Sequence, residues 1–198
     1  MNKVMRSLLV VLPLLLAFGA SPARAGEISA AGDVILEAGK TWPNGPLQDW
    51  IGPGTALRAR LFGGAHLKIP YVNAVGLGID FTYANHPFKL GSPDARYHRY
   101  LWDWLFIPVS IGWFQITPGV AWVVTDVHND DLGIVRTSIR PAGVLTAALR
   151  VPVTSLIMLR TDFRTEIAFA DRAQTNTGAT MNLTGSFWTW FGGLEAEF

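Results

Sequence analysis

The chain has 198 residues, of which 49% are apolar, 12% aromatic and only 16% charged, with no cysteine and a formal net charge of +1. That balance excludes a disordered chain, a disulfide-stapled secreted scaffold and any thiolate metal site or cysteine nucleophile. It also lacks the basic excess of a nucleic-acid binder.

The mean hydropathy of +0.26 points to a membrane, yet only the N-terminal segment is apolar enough to resemble a helical span. Lys3 and Arg6 precede an apolar run from Leu8 to Phe18, and Ala23-Arg24-Ala25 supplies small residues at the positions a signal peptidase reads. The run is shorter than the roughly 20 residues of a spanning helix. The layout is that of a secretory signal peptide over residues 1–25, ahead of a single domain over 26–198. Removing it with Lys3, Arg6 and Arg24 leaves 173 residues carrying 13 basic and 15 acidic side chains, a balance of −2.

From there the pattern has period 2 rather than 3.6. In 71–83 the odd positions Tyr71, Asn73, Val75, Leu77, Ile79, Phe81 and Tyr83 form a mostly large and apolar face, and the even positions are small or polar. In 156–169, Ile157, Leu159, Phe163, Ile167 and Phe169 oppose Arg160, Asp162, Arg164 and Glu166. Runs of this kind predict eight strands near 33–41, 55–64, 70–83, 97–112, 115–127, 134–150, 155–169 and 180–198. Long polar or Gly/Pro-rich loops at 41–54, 84–96, 128–133 and 170–178 alternate with short turns at 64–69, 113–114 and 151–154. That rhythm predicts an all-β fold, an eight-stranded antiparallel up-and-down transmembrane barrel.

A soluble lipocalin-like barrel also alternates, and three features argue against it. Aromatic residues cluster at strand ends as a girdle, Tyr97, Tyr100, Trp102, Trp104 and Phe106 on one strand and Trp188 and Trp190 on another. The strands reach the 9–11 residues a tilted crossing takes. Finally, Phe198, Ala196, Leu194, Trp190 and Trp188 share one face of the last strand, which ends the sequence on phenylalanine. This strand resembles the terminal strand of bacterial outer-membrane barrels, and the domain as a whole resembles the small eight-stranded barrels of the OmpA/OmpX type. The resemblance implies a Gram-negative outer-membrane location and contact with outer-membrane lipids and lipopolysaccharide. It also implies an assembly signal at Leu194, Ala196 and Phe198 read by the barrel-assembly machinery. A monomer is expected, with no nucleic-acid partner.

If the aromatic faces point outward, the opposite faces list the lumen. They carry Arg58, Arg60, Arg99, Arg136, Arg140, Arg160 and Arg164 against Glu37, Asp80, Asp103, Asp162, Glu166, Glu195 and Glu197. Each would be costly facing lipid, about 2–4 kcal/mol for Arg at the midplane. An eight-stranded barrel is just wide enough to be filled by side chains. A balanced Arg/carboxylate set reads as a plug, whereas a selectivity ring would be dominated by one sign. Ala74, Gly76, Gly78, Gly119 and Ala121 on the inward face read as room for the arginines, with a small-molecule cavity as the competing reading.

Three functions stand side by side. The first is a non-enzymatic structural or surface-interaction protein acting through its outer loops. The second is a narrow, porin-like pore or small-solute transporter. The third is a lipid A-modifying enzyme, which in this fold relies on a histidine near a serine and a carboxylate. His66 lies at a turn, His86 and His128 in outer loops and His98 at the start of a strand, and none sits one or two residues from a serine. No catalytic residues are assigned. His128-Asn129-Asp130-Asp131 offers too few ligands for calcium, and no phosphate loop or dinucleotide fingerprint is present, so neither metal nor cofactor is expected.

Overall fold

The computed structural model describes residues 28–69, 72–91, 94–168, 172–175, 178 and 180–198; the expected signal peptide lies outside them. The strands are β1 (Ile28–Asn44), β2 (Gly54–Ile69), β3 (Val72–Pro87), β4 (Arg96–Phe106), β5 (Phe114–Asn129), β6 (Ile134–Pro152), β7 (Ile157–Ala168) and β8 (Ser186–Glu197). After a break at Ile107-Pro108, β4 continues as Val109–Ile111. Every neighbour pairs antiparallel with the next, and β1 pairs with β8, so the sheet closes into an eight-stranded up-and-down barrel. Closure leaves no free sheet edge, the usual remedy for a long exposed strand. A 3-10 helix (Gly45–Asp49) joins β1 to β2, and a small ribbon of Arg172–Gln174 and Thr180–Asn182 precedes β8.

Several strands run further than the sequence pattern indicates, whereas the last, expected from 180, begins only at Ser186 because Thr180–Asn182 pair with Arg172–Gln174 in the separate ribbon. Residues 42–44 belong to β1, and β5 reaches Asn129, which leaves only 130–133 for a loop expected at 128–133. Gly133, at φ 63°, closes that turn. At the opposite end Gly112, at φ 59°, and Trp113 make the turn into β5. The left-handed conformation at these two places is what glycine supplies without strain.

The register fixes the stagger of the barrel. From Lys40, cross-strand partners run one way through Thr55, Asn85, His98 and Asp126 to Thr137. The other way they run through Trp190 and Phe163 to Ala147. Thr137 and Ala147 lie ten residues apart on one strand, which is the shear of the barrel. Ten over eight strands gives a tilt of about 40° and a height of about 2.5 Å per residue.

Corrected for that stagger, Trp42, Tyr83, Trp102, Trp122 and Trp188 fall at one level. Trp113, Phe114 and Phe198 fall about 20 Å lower. Between them the outward side chains are apolar, including Leu57, Ile79, Leu145, Leu159 and Leu194, all exposed. The wall ends a few residues above the upper ring on β7 and β8. On β5 and β6 it continues for about 20 Å.

Two residues assigned to the girdle point inward instead. Tyr97 shares the parity of Arg99 and Asp103 and is 3% exposed. A bulge between Asp103 and Leu105 turns Trp104 and Leu105 outward together and sends Phe106 inside, 7% exposed. An extra residue in one strand shifts the alternation of everything beyond it. Phe106 also takes the space left by the small residues: a Cβ on Gly78 would lie 2.4 Å from its ring, and one on Gly119 would meet its Cβ at 3.3 Å. These glycines accommodate a phenylalanine rather than arginines. Side chains of 65–77 lie outside the description, Ala74 and Gly76 among them.

Candidate functional site: the lumen and its cap

Period-2 alternation delivers every second side chain to the inside, and seven of the strands place at least one charged residue among those positions. The buried set comprises Arg58, Arg60, Arg99, Arg150, Arg160 and Arg164 with Asp33, Glu37, Asp80, Asp103, Asp162, Glu166 and Glu195.

They form a continuous ladder. At the loop end Arg99 pairs with Glu166, which lies 3.3 Å from Nε of Arg164. Arg164 reaches Asp103 at 2.7 Å and Asp80 at 3.6 Å. Asp80 is gripped by Arg58 through Nε and Nη2. Nη1 of Arg58 donates to Glu37 at 3.0 Å and to Asp162 at 2.5 Å. Asp162 then accepts two bonds from Arg160, at 2.7 and 3.0 Å, and Arg160 passes on to Glu195 at 2.9 Å and to Gln115. Arg150 closes the chain at the turn end, on Glu195 at 2.9 Å and Glu197 at 3.1 Å. A side branch, Arg60 on Asp33 at 3.0 and 2.9 Å, stands beside it with Arg60 over the ring of Phe106.

Guanidinium forks suit this role because they keep their charge when buried and can meet several carboxylates at once. Arg58, Arg150, Arg160 and Arg164 each meet two or three, Arg60 and Arg99 one. Isolated ions would be prohibitively costly in such an interior; alternation of sign is what makes the filling tolerable.

Eleven of the fourteen residues expected in the lumen are buried there. Arg136 and Arg140 have inward parity but lie only partly buried at the loop-end rim, above the point where β6 last pairs with β7 at Ala142 and Ala168. Arg136 donates from Nη1 to the carbonyl of Arg172 in the ribbon. Glu197 is also partly buried, at the turn end. Asp33 and Arg150 belong to the ladder although the sequence inventory omits them. Their parity was the available signal, since Asp33 lies four residues from Glu37 and Arg150 ten from Arg140.

Above the ladder the filling changes from ionic to apolar. Leu47, Ile51, Tyr97, Val127, Ile134, Leu183 and Phe187 form one buried cluster, with Trp50, Phe88 and Leu132 against it. The 3-10 helix that brings Leu47 inward begins at Asn44, whose side chain accepts from the Gly45 amide, and carries Pro46 in its first turn. The Gly52 amide donates to the Pro87 carbonyl and that of Lys89 to the Trp50 carbonyl, both at 2.8 Å, which straps the loop across the mouth.

His86, expected in a loop, is wholly buried at the end of β3. Its Nδ1 donates to the Gly52 carbonyl at 3.0 Å, and its ring lies 5.1 Å from that of Phe187. Phe187 in turn lies under the guanidinium of Arg99, 3.2 Å from the ring centroid, and so joins cap to ladder. The other histidines whose side chains are described lie on the outside, His98 bonded to the Tyr83 hydroxyl at 3.1 Å and His128 to Asp130 at 3.2 Å.

The barrel combines eight staggered strands, an apolar belt between two aromatic rings and a charged interior. The fold is a closed eight-stranded transmembrane-type β-barrel. No protein-family model matches the chain, and no curated protein does. Among solved structures it is similar to Neisserial surface protein A, at 11% identity over 88% of this chain and 100% of that one, with a TM-score of 0.46. It is also similar to Ail, the attachment invasion locus protein of Yersinia pestis, in complex with sucrose octasulfate. That likeness has 9% identity over 85% of this chain and 98% of the other, with a TM-score of 0.47. The outer membrane protease OmpT of Escherichia coli follows at 8% identity over 90% of this chain and 99% of its own, with a TM-score of 0.40.

Proposed function

We propose that this chain is a non-enzymatic protein of a Gram-negative outer membrane, a closed barrel that makes its contacts through the loops at the end opposite Ile28 and Phe198. The observation that carries this reading is the filling of the lumen. The ladder from Arg99 to Glu197 occupies the tube, and the apolar cap lies across the loop-end mouth. A continuous solute path would have to break several buried ion pairs at once, and an unpaired buried charge is costly.

The apolar belt of about 20 Å supports lipid as the surrounding medium, near the 25 Å of known outer-membrane barrels. Outer-membrane lipids and lipopolysaccharide are then its neighbours. In this reading Leu194, Ala196 and Phe198 serve the barrel-assembly machinery, and the barrel works as a monomer.

Two measurements test it. Purified protein in planar bilayers should give no large, stable conductance steps, and their appearance would replace the closed barrel by a pore. The protein should fractionate with the outer membrane and show heat-modifiable mobility on gels; recovery in the soluble periplasm would overturn the location.

A further inference from the structure

Among the described residues of the barrel wall, Lys40 is the one ionic side chain that points outward from the lower aromatic ring up to the level of the upper one. Every other outward position at these levels is apolar, aromatic, glycine, proline or an uncharged hydroxyl residue. The next outward charge, Asp126, stands about 10 Å above the upper ring.

Lys40 lies at the level of that ring, where β1 meets β8. Its cross-strand partners are Trp190 and Thr55, and Trp42 and Trp188 are neighbours on the same face. The aromatic platform is stiff: Nε1 of Trp190 donates to the Thr161 hydroxyl at 2.7 Å, and Trp188 packs edge-on against Phe163. Immediately below, the wall is low. Ala38 pairs with Gly192 there, both exposed, and a Cβ added to Gly192 would meet nothing within 4 Å. Leu36 and Leu194 bound this depression on the side away from the ring.

We infer that Lys40, Thr55 and the surrounding tryptophans bind the phosphorylated headgroup of an outer-leaflet glycolipid of the lipid A class, with an acyl chain lying over Ala38 and Gly192. The inference rests on the outer-membrane reading above. A lysine near the interface costs far less than one at the midplane, which makes the position tolerable but does not select it. A charge-assisted bond to phosphate gives the ammonium a counter-charge. The indoles offer flat apolar walls at headgroup depth, and the low patch admits a chain that a leucine at either position would exclude.

The test uses the full chain in phosphatidylcholine nanodiscs containing a small fraction of lipid A, with lipid A retained by the barrel counted by mass spectrometry after extraction into mild detergent. The wild type should retain lipid A, Lys40→Arg should retain it equally, and Lys40→Gln should retain about tenfold less. Gly192→Val, which adds bulk without touching the charge, should lower retention several-fold. Inorganic phosphate at millimolar concentration should not displace the lipid. Equal retention by Lys40→Gln and the wild type would overturn the site, and displacement by inorganic phosphate would overturn the lipid as its ligand. A chain that does not enter nanodiscs at all would instead defeat the membrane reading on which the inference stands.

Discussion

The two fillings of one tube, the ionic ladder and the apolar cap, differ in where their residues come from. The ladder is built by wall strands, so its side chains are aimed by the sheet itself and their partners are set by register. The cap is built mainly by connections, Leu47 and Ile51 from the first and Leu183 from the last, folded back onto the inner faces of β4, β5 and β6. Apolar contact is non-directional, so the cap tolerates rearrangement in a way that a chain of forked ion pairs does not. The loop end can therefore vary with its contacts while the wall stays fixed.

That contrast can be broken deliberately. The largest effect is expected for Arg58→Met, which leaves Asp80, Glu37 and Asp162 without their shared cation. A loss of about 3–5 kcal/mol should appear as a lower urea midpoint for the folded band on unheated gels. Arg160 and Arg164 serve the same ladder, and unchanged stability in both of their alanine variants would show that the ladder is not structural. Leu47→Ala should weaken docking of the first loop by about 2–4 kcal/mol. Its signature should be faster proteolysis within 45–53 with the barrel itself unmoved; if the whole barrel unfolds earlier, cap and wall are one cooperative unit. Replacing the side-branch pair together, Asp33→Leu with Arg60→Met, should stay within about 1 kcal/mol of the parent or exceed it, because apolar filling replaces an isolated buried pair. Smallest of all, Trp122→Phe on the outer ring should shift stability by about 0.5 kcal/mol or less.

The wall was legible in the sequence because lipid-side and lumen-side demands alternate with the period of the strand. Arg160, Asp162, Arg164 and Glu166 declared their face at once. Phe106 did not, because the bulge at Asp103 to Leu105 resets the alternation and leaves no mark in composition. Tyr97 was grouped with its aromatic neighbours although its parity matched Arg99. Arg136 and Arg140 show the limit of parity: it gives the face of a residue but not its height, and these two stand where the wall has lost β7. The cap had no signal to offer, since Leu47, Ile51 and Leu183 follow no period and meet only after the barrel closes. Lys40 carried no mark in the sequence pattern, and its surroundings emerge only when β1 is laid against β8.

The stagger of ten residues has a consequence for how the last seam joins. Arg58 on β2 reaches Asp162 on β7, and Arg160 on β7 reaches Glu37 on β1, so the ladder crosses the line where the first and last strands meet. A slip of one residue there would turn the charges toward lipid, and a slip of two would carry each cation about 6.6 Å from its carboxylate. Backbone hydrogen bonds alone would accept either error, since every strand offers the same repeating amides. The buried ions thus act as a key cut for a single alignment, and the first and last strands can seal only at the pairing that lets every arginine find its acids.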